Sequence, residues 1–301
     1  MGVLPPERTT LTRPFENTGL DFAGPFEIKT YTGRNCLISK GYVCVFVCFA
    51  TKAIHLEATS TLSTPTFLAA FSRFVSRRGC PSNLYSDNGK TFVGASKDLA
   101  REFMQATRTV LVPNFNHQGL TWHFIPPGAP HMGGLWEAGV KSFKTHFRKT
   151  AMGFKYTFEE FSTLLSKIEA CLNSRPISSM SDDPTDITAL TPGHFLVGGP
   201  LLAPIEPKRL KALQQTFCSR WKNDYLKELH KRNKWKRPQE NIRVDSMVVI
   251  REENIPPNEW RLGRVSKVYF GNDNRVRVVD ILTERGIITR PITKLVILPT
   301  D

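Results

Sequence analysis

The chain has 301 residues, with 41 Lys and Arg against 27 Asp and Glu, and a formal net charge of +14 at pH 7. Hydrophobic residues make up 40%, which excludes wholesale disorder, and the length predicts two domains or three. The positive excess points to a polyanionic partner, either nucleic acid or an anionic membrane surface, but the longest apolar run, Gly41 to Ala50, holds only ten residues where a helical span needs about 20.

Residues 1–14 are rich in Pro, Thr and Arg and read as a lead-in arm. No secretory leader is expected, because Met1-Gly2-Val3-Leu4 runs straight into Pro5-Pro6-Glu7-Arg8. With Pro at position 6, myristoylation is not expected either. Phe15 to Ile28 is an apolar strand with an acid, Asp21, inside it, and Tyr31-Thr32-Gly33-Arg34-Asn35 supplies a turn. Tyr42 to Phe49 is β-branched and aromatic on both faces, the mark of a buried strand. Ile54 to Ala58 is a third strand, and the short turns predict an antiparallel meander. Ser63 or Thr64 then caps a helix with Pro65 in its first turn, and Gly79-Cys80-Pro81 ends it. A short strand, Asn83 to Ser86, stops at Asp87-Asn88-Gly89. A helix over roughly Ser96 to Gln105, a strand from Leu120 to Ile125, and helices over Gly134–Met152 and Thr157–Asn173 follow, the last capped by Thr157 with Glu160. This order predicts a mixed α/β sheet with helices packed against it.

The composition shifts after about residue 200. Residues 208–243 hold twelve Lys or Arg against three acids, a net +9. Such a segment repels itself without a partner, and phosphate binding would release counterions. Lys231, Arg232, Lys234, Lys236 and Arg237 are its predicted DNA contacts. Trp221 and Tyr225 have the spacing of packing residues more than of a stacking platform. Ser246–Arg251, Leu262–Tyr269, Arg275–Leu282 and Gly286–Pro291 read as strands of a small β-barrel.

The six cysteines include no CxxC pair and the seven histidines no HxxxH spacing. The thiols are expected to be free and buried, and any metal must be held by carboxylates. Asp21 is mid-strand in an apolar stretch, where an ionised group is costly unless paired or bound to metal. Asp87 closes the fourth strand, and Glu137 opens a helix just past the fifth. Each has an ordinary alternative: an Arg partner for Asp21, a turn for Asp87-Asn88-Gly89, a helix-dipole interaction for Glu137. Together, with the first and fourth strands as neighbours, three acids can meet above the sheet and hold two divalent ions. Hard oxygen donors suit Mg²⁺ or Mn²⁺.

Gly19-Leu20-Asp21-Phe22-Ala23-Gly24-Pro25, Ser86-Asp87-Asn88-Gly89 and Pro130-His131-Met132-Gly133-Gly134-Leu135-Trp136-Glu137 resemble the catalytic core of the integrases of BEL/Pao-type LTR retrotransposons. Thr51 to Ala58, Phe74 to Gly79, Leu172 to Ile177 and Leu190 to Leu196 extend the resemblance, and Trp260 to Val265 and Arg290 to Leu295 resemble that family's small SH3-like barrel. The resemblance implies an RNase H-like core over 10–205, a basic helical linker over 206–240 and an SH3-like barrel over 241–301. It implies that Asp21, Asp87 and Glu137 are both catalytic residues and ligands of two Mg²⁺ or Mn²⁺ ions. The implied reaction is 3′-end processing of element DNA followed by joining to target DNA. Double-stranded DNA as substrate, a homomultimer on DNA, contact with chromatin and action in the nucleus after passage through the cytoplasm come with it. Three departures stand out. The His/Cys zinc domain that usually precedes the core is missing, so that Met1 is either internal to a longer reading frame or the start of a truncated copy. The step of 50 residues from Asp87 to Glu137 is longer than in retroviral integrases, and Lys90 stands where a small polar residue is expected.

On the helix after Glu137, Lys141, Lys144 and Arg148 fall on the Glu137 face and are predicted to grip DNA phosphates. Trp136, Val140, Phe143 and Phe147 form the apolar stripe beside them. Asn88 either orients a phosphate or water or caps its turn. The competing readings are a catalytically silent or domesticated DNA- or chromatin-binding remnant, and an RNase H-type hydrolase, which leaves the C-terminal barrel without a role.

Overall fold

The structure is a computed structural model. It describes residues 10, 12–31, 33, 35–109, 120–124, 134–151, 153–181, 183, 185–201, 208–229, 241–252, 259–271 and 275–298, with the side chains of 100–109, 134–138, 151, 208–212 and 228 outside that description. The chain divides into two compact units, Met1–Glu169 and Ala170–Asp301.

In the first unit β1 (Asn17–Lys29), β2 (Ile38–Cys48) and β3 (Ile54–Thr59) form the expected antiparallel meander. α1 (Thr64–Arg78) leads to β4 (Asn83–Ser86), and α2 (Lys90–Thr109) precedes β5 (Thr121–Phe124). β4 lies parallel to β1 and β5 parallel to β4, an arrangement that needs crossovers rather than hairpins. The sheet order is β3-β2-β1-β4-β5. α3 (Gly134–Ala151), β6 (Tyr156–Thr157) and α4 (Phe158–Asn173) follow, and β6 pairs with the end of β1. α2 starts at Lys90, earlier than the predicted Ser96, because the turn at Asp87-Asn88-Gly89 launches it: Phe92 and Val93 both donate to the Gly89 carbonyl, at 2.9 and 3.0 Å. At the start of α4, Thr157 and Glu160 exchange side chain to backbone hydrogen bonds at 3.1 and 3.2 Å, the predicted capping box.

Period-two alternation sends Leu20 and Phe22 to one face of β1 and Gly19 and Asp21 to the other. Phe22 meets Phe67 of α1 at 6.1 Å and stacks on Phe92 of α2 at 5.1 Å, and Phe46 of β2 stacks on Phe74 of α1 at 4.2 Å. The opposite face takes α3 and α4, with Phe26 against Phe147 at 4.8 Å and Phe161 at 5.8 Å. The phase changes between them because the β1–β2 register shifts between Ala23 and Phe26. Gly24 is required at that shift: its φ is +141°, and a Cβ there would lie 2.7 Å from the Tyr42 ring. The sheet is thus sandwiched between two helical layers, the RNase H-like layout.

The outer strand β3 is pinned by charge. His55 and Glu57 share the α1 face and are buried, with His55 Nε2 3.0 Å from Glu57 Oε1. Arg73 Nε donates to Glu57 Oε2 at 2.7 Å, Arg77 donates to Glu57 Oε1, and Arg78 to Glu169. Glu169, on α4, also accepts the Leu56 backbone N–H at 2.9 Å, and its Oε1 lies 3.3 Å from His55 Nδ1. Burial alone would push the His55 pKa down, but its hydrogen bonds to Glu169 and Glu57 outweigh burial and hold it above the ordinary value. Burial pushes both carboxyls up; His55 with Arg73 for Glu57, and His55 with Arg78 for Glu169, overcome it and hold both below the usual carboxylate range. The two sequence stretches Thr51–Ala58 and Phe74–Gly79 therefore meet as one network.

In the second unit, β7 (Ser178–Ser179) and β8 (Ala189–Leu190) pair as a short hairpin, followed by α5 (Pro192–Val197) and α6 (Lys208–Leu229). The strands β9 (Met247–Ile250), β10 (Arg261–Phe270), β11 (Val276–Thr283), β12 (Gly286–Pro291) and β13 (Leu295–Ile297) form an antiparallel sheet in the order β12-β11-β10-β9-β13. A 3-10 turn, Ile292–Lys294, joins the two outer strands, and the order with that turn is SH3-like. Its core is Ile242, Val248, Ile250, Val265, Val276, Val279, Ile281 and Leu295.

α6 is built into this unit. Leu226 packs with Ala189, Met247, Val249, Val296 and Leu298. Trp221 stacks on Tyr225 at 5.4 Å, Trp260 stands edge-on to both, and the Tyr225 hydroxyl donates to the Pro176 carbonyl at 2.7 Å. Buried Lys222 donates to the Glu259 carbonyl at 2.6 Å, and burial pushes its pKa down. Arg264 donates to the carbonyls of Asp186 and Asp245, at 2.8 and 3.1 Å, and to that of Ser181. These bonds tie residues 176–186 to α6 and β10. The cysteines are free; Cys44, Cys48, Cys171 and Cys218 are buried as expected, whereas Cys80 is exposed and Cys36 half-buried.

Candidate active site

β1 and β4 run parallel with Asn17 opposite Asn83, Thr18 opposite Leu84 and Gly19 opposite Tyr85. Asp21 follows Gly19 by two residues within β1, and Asp87 follows Tyr85 by two, one residue past the end of β4, so both acids stand beyond the same end of the β1–β4 ladder. Paired residues of parallel strands share a face, and the Asn row shows which one: Asn83 Nδ2 donates to Asn17 Oδ1 at 2.8 Å. His123 of β5 adds Nε2 to Asn83 Oδ1 at 3.0 Å, and its ring stacks on Tyr85 at 4.6 Å.

The same face receives α3. Gly19 pairs with Val47, and a Cβ on Gly139 would touch Val47 at 3.8 Å. Val140, Phe143 and Phe147 are buried, the predicted apolar stripe, while Lys141 and Arg148 are exposed. Lys144 Nζ is bound to Asp21 Oδ2 at 2.6 Å. The Lys144 ammonium is thus engaged by a carboxylate, because the long side chain reaches the sheet from the edge of the apolar stripe. Glu137 is on the first turn of α3, seven residues and about two turns ahead of Lys144 on one helix face; its side chain lies outside the described part.

Asp21 Oδ1 also accepts the N–H of Phe22 at 2.6 Å. Asp87 is exposed and its Oδ1 accepts the Gly89 N–H at 3.0 Å, which holds the carboxylate at the strand end. Asn88 beside it is exposed. The Cys44 thiol, behind Asp21, is pushed well up by burial and by the charges of Asp21 and Glu57, so thiolate chemistry has no part here. Among the described residues no three His, Cys, Asp or Glu side chains form a group that could hold a metal ion. Asp21 and Asp87 are hard oxygen donors, the chemistry that Mg²⁺ and Mn²⁺ prefer, and Asp21 is ion-paired with Lys144.

The predicted DNA contacts Lys231, Arg232, Lys234, Lys236 and Arg237 lie outside the described residues. Sequence reasoning missed the Lys144–Asp21 pair and the Asn17–Asn83 row. A signal for the row was present: Asn stands four residues before Asp in both Asn17-to-Asp21 and Asn83-to-Asp87, and equal spacing on two parallel strands places both pairs in register.

Residues 207–298, from just before α6 through β13, match the family described as "Family of unknown function (DUF5641)". No curated protein matches the sequence. The fold is similar to a chain of the simian T-cell lymphotropic virus intasome in complex with PP2A regulatory subunit B56 gamma, at TM-score 0.38 and 12% identity, over 96% of this chain and 80% of that one. At that level the likeness says nothing of activity.

Proposed function

We propose that the protein is a retrotransposon integrase of the BEL/Pao type, a metal-dependent polynucleotidyl transferase that trims the 3′ ends of element DNA and joins them to target DNA. The observation that supports the reading is the parallel pairing of β1 and β4, which carries Asp21 and leads directly into Asp87, with Asp21 facing α3. The net charge of +14 supports a DNA substrate. Asp21, Asp87 and Glu137 would hold two Mg²⁺ or Mn²⁺ ions, and that group would supply charge neutralisation for an in-line phosphoryl displacement. Lys141, Lys144 and Arg148 orient the DNA backbone along α3, and Asn88 supplies an amide beside Asp87. In this reading the active form is a homomultimer on DNA in the nucleus, with its catalytic core within 10–205.

The test uses a linear duplex ending in the element's terminal repeat, with Mn²⁺ and with a His/Cys zinc domain supplied. Asp21→Asn, Asp87→Asn and Glu137→Gln should each reduce end trimming and strand transfer to background while DNA binding is kept, and a double variant should be no worse than a single one, because the three act as a unit. Glu27→Gln, Asp98→Asn and Glu102→Gln should stay active. Wild type that binds DNA but neither cuts nor joins it would favour the silent DNA-binding remnant, and cleavage confined to the RNA of RNA–DNA hybrids would favour the hydrolase.

A further inference from the structure

The Lys144–Asp21 pair has a consequence if Asp21 is a metal ligand, as the reading above holds. A cation that seeks Asp21 Oδ2 meets an ammonium already 2.6 Å from that oxygen. The ion and the ammonium are like charges and repel one another when both contact one carboxylate oxygen. α3 itself cannot yield, because Val140, Phe143 and Phe147 are buried around the Lys144 turn. The side chain can, since 39% of it is exposed. We propose that Lys144 is a displaceable counter-ion of the carboxylate pair: it neutralises Asp21 until a divalent cation takes its place, and the released ammonium then serves a DNA phosphate.

The ammonium has one position at a time, so whatever draws it from Asp21 favours the metal. DNA should therefore raise metal affinity, and metal should raise DNA affinity by the same factor. Removing the ammonium should strengthen metal binding and abolish that coupling. This separates Lys144 from a residue that merely binds phosphate, whose loss would weaken DNA binding and leave the metal untouched.

The experiment titrates Mn²⁺ into the full chain by calorimetry, with and without a duplex oligonucleotide. Four proteins are compared: wild type, Lys144→Met, Lys144→Arg and Asp21→Asn. Lys144→Met should bind Mn²⁺ about fivefold more tightly than wild type, which is about 1 kcal/mol, and should lose the gain that DNA confers. Lys144→Arg keeps the cation and should stay within twofold of wild type. Asp21→Asn should lose the Mn²⁺ signal, which ties the measurement to this carboxylate. If Asp21→Asn loses the signal and Lys144→Met matches wild type with and without DNA, the counter-ion role is wrong and the metal site stands. If neither wild type nor Lys144→Met shows Mn²⁺ binding that depends on Asp21, both ideas fall.

Discussion

Raising the pH through the neutral range should loosen the first unit, and His55 should be the reason. Its ring is wholly buried between Glu57 and Glu169, with Arg73 and Arg77 on the outer side of Glu57 and Arg78 paired with Glu169 and 3.4 Å from His55 Nδ1. The two carboxylates hold the folded-state pKa above the ordinary 6.5. A raised pKa means that the folded protein binds the proton more tightly than the unfolded chain. The stabilisation is therefore complete below about 6.5 and is lost as pH rises through the folded value. Between the two values one extra proton is bound on folding, and stability falls by up to about 1.4 kcal/mol per pH unit. Backbone hydrogen exchange at Leu56 reads this locally, because its N–H is bonded to Glu169. Protection there should fall as pH rises from 6 to 9 after correction for intrinsic exchange, and His55→Gln should flatten the dependence. A His55→Gln protein with the wild-type slope, or protection that increases over this range, would refute the assignment. The lowered carboxyls of Glu57 and Glu169 work in the opposite sense at the other end: their contribution is present above about 4.5 and is lost as pH falls through their depressed values.

Two further substitutions test the packing. Phe74→Ala removes a wholly buried ring stacked on Phe46 at 4.2 Å, and should cost about 3–5 kcal/mol in urea unfolding of the first unit; a loss under 1 kcal/mol would mean that α1 does not seat there. Leu226→Asp places a carboxylate among Met247, Val249, Val296 and Leu298, and should strip hydrogen-exchange protection from β9 and β13; unchanged protection would mean that α6 is not part of the barrel's core.

Much of the first unit was legible because its signals are local. β1 to β4 follow runs of alternating or continuous apolar residues closed by turn residues, and α1 carries both its Pro65 start and its Gly79 stop. What escaped was set by partners distant in sequence. β6 has two residues and β13 three, too few for any period. α6 read as a basic helical linker because net charge sums over all faces of a helix, while burial concerns one stripe. Leu213, Phe217 and Trp221 recur every four residues and are buried, as is Leu226. Lys222 is buried with them, since its amine finds a carbonyl and an aromatic face. At the candidate site the order of the acids along the chain was readable, but the ion pair on Asp21 was not. Helical spacing puts Lys144 on the Glu137 face without saying that its amine reaches the sheet.

The way the acids are held decides where the site can adapt. Asp21 is in the interior of β1, paired with Val45 of β2 on one side and one step beyond the β4 ladder on the other. Its backbone cannot shift without breaking hydrogen bonds to β2, and β2 is in turn tied to β3, whose outer edge Glu169 caps. Asp87 follows the end of β4, which is paired with β1 up to Tyr85 and with β5 up to Ser86, and its carboxylate is held by its own turn to Gly89. A carboxylate mounted inside a strand, as Asp21 is, keeps its position more tightly than one on a loop. A change of ligand at this site must therefore be absorbed by side-chain torsions, and Lys144 has the largest range among them. It carries four rotatable bonds against two for Asp21, and it is more exposed, 39% against 29%. The pairing of a rigid carboxylate row with one long, displaceable cation is what makes Lys144, rather than the sheet, the element that responds when the site is filled.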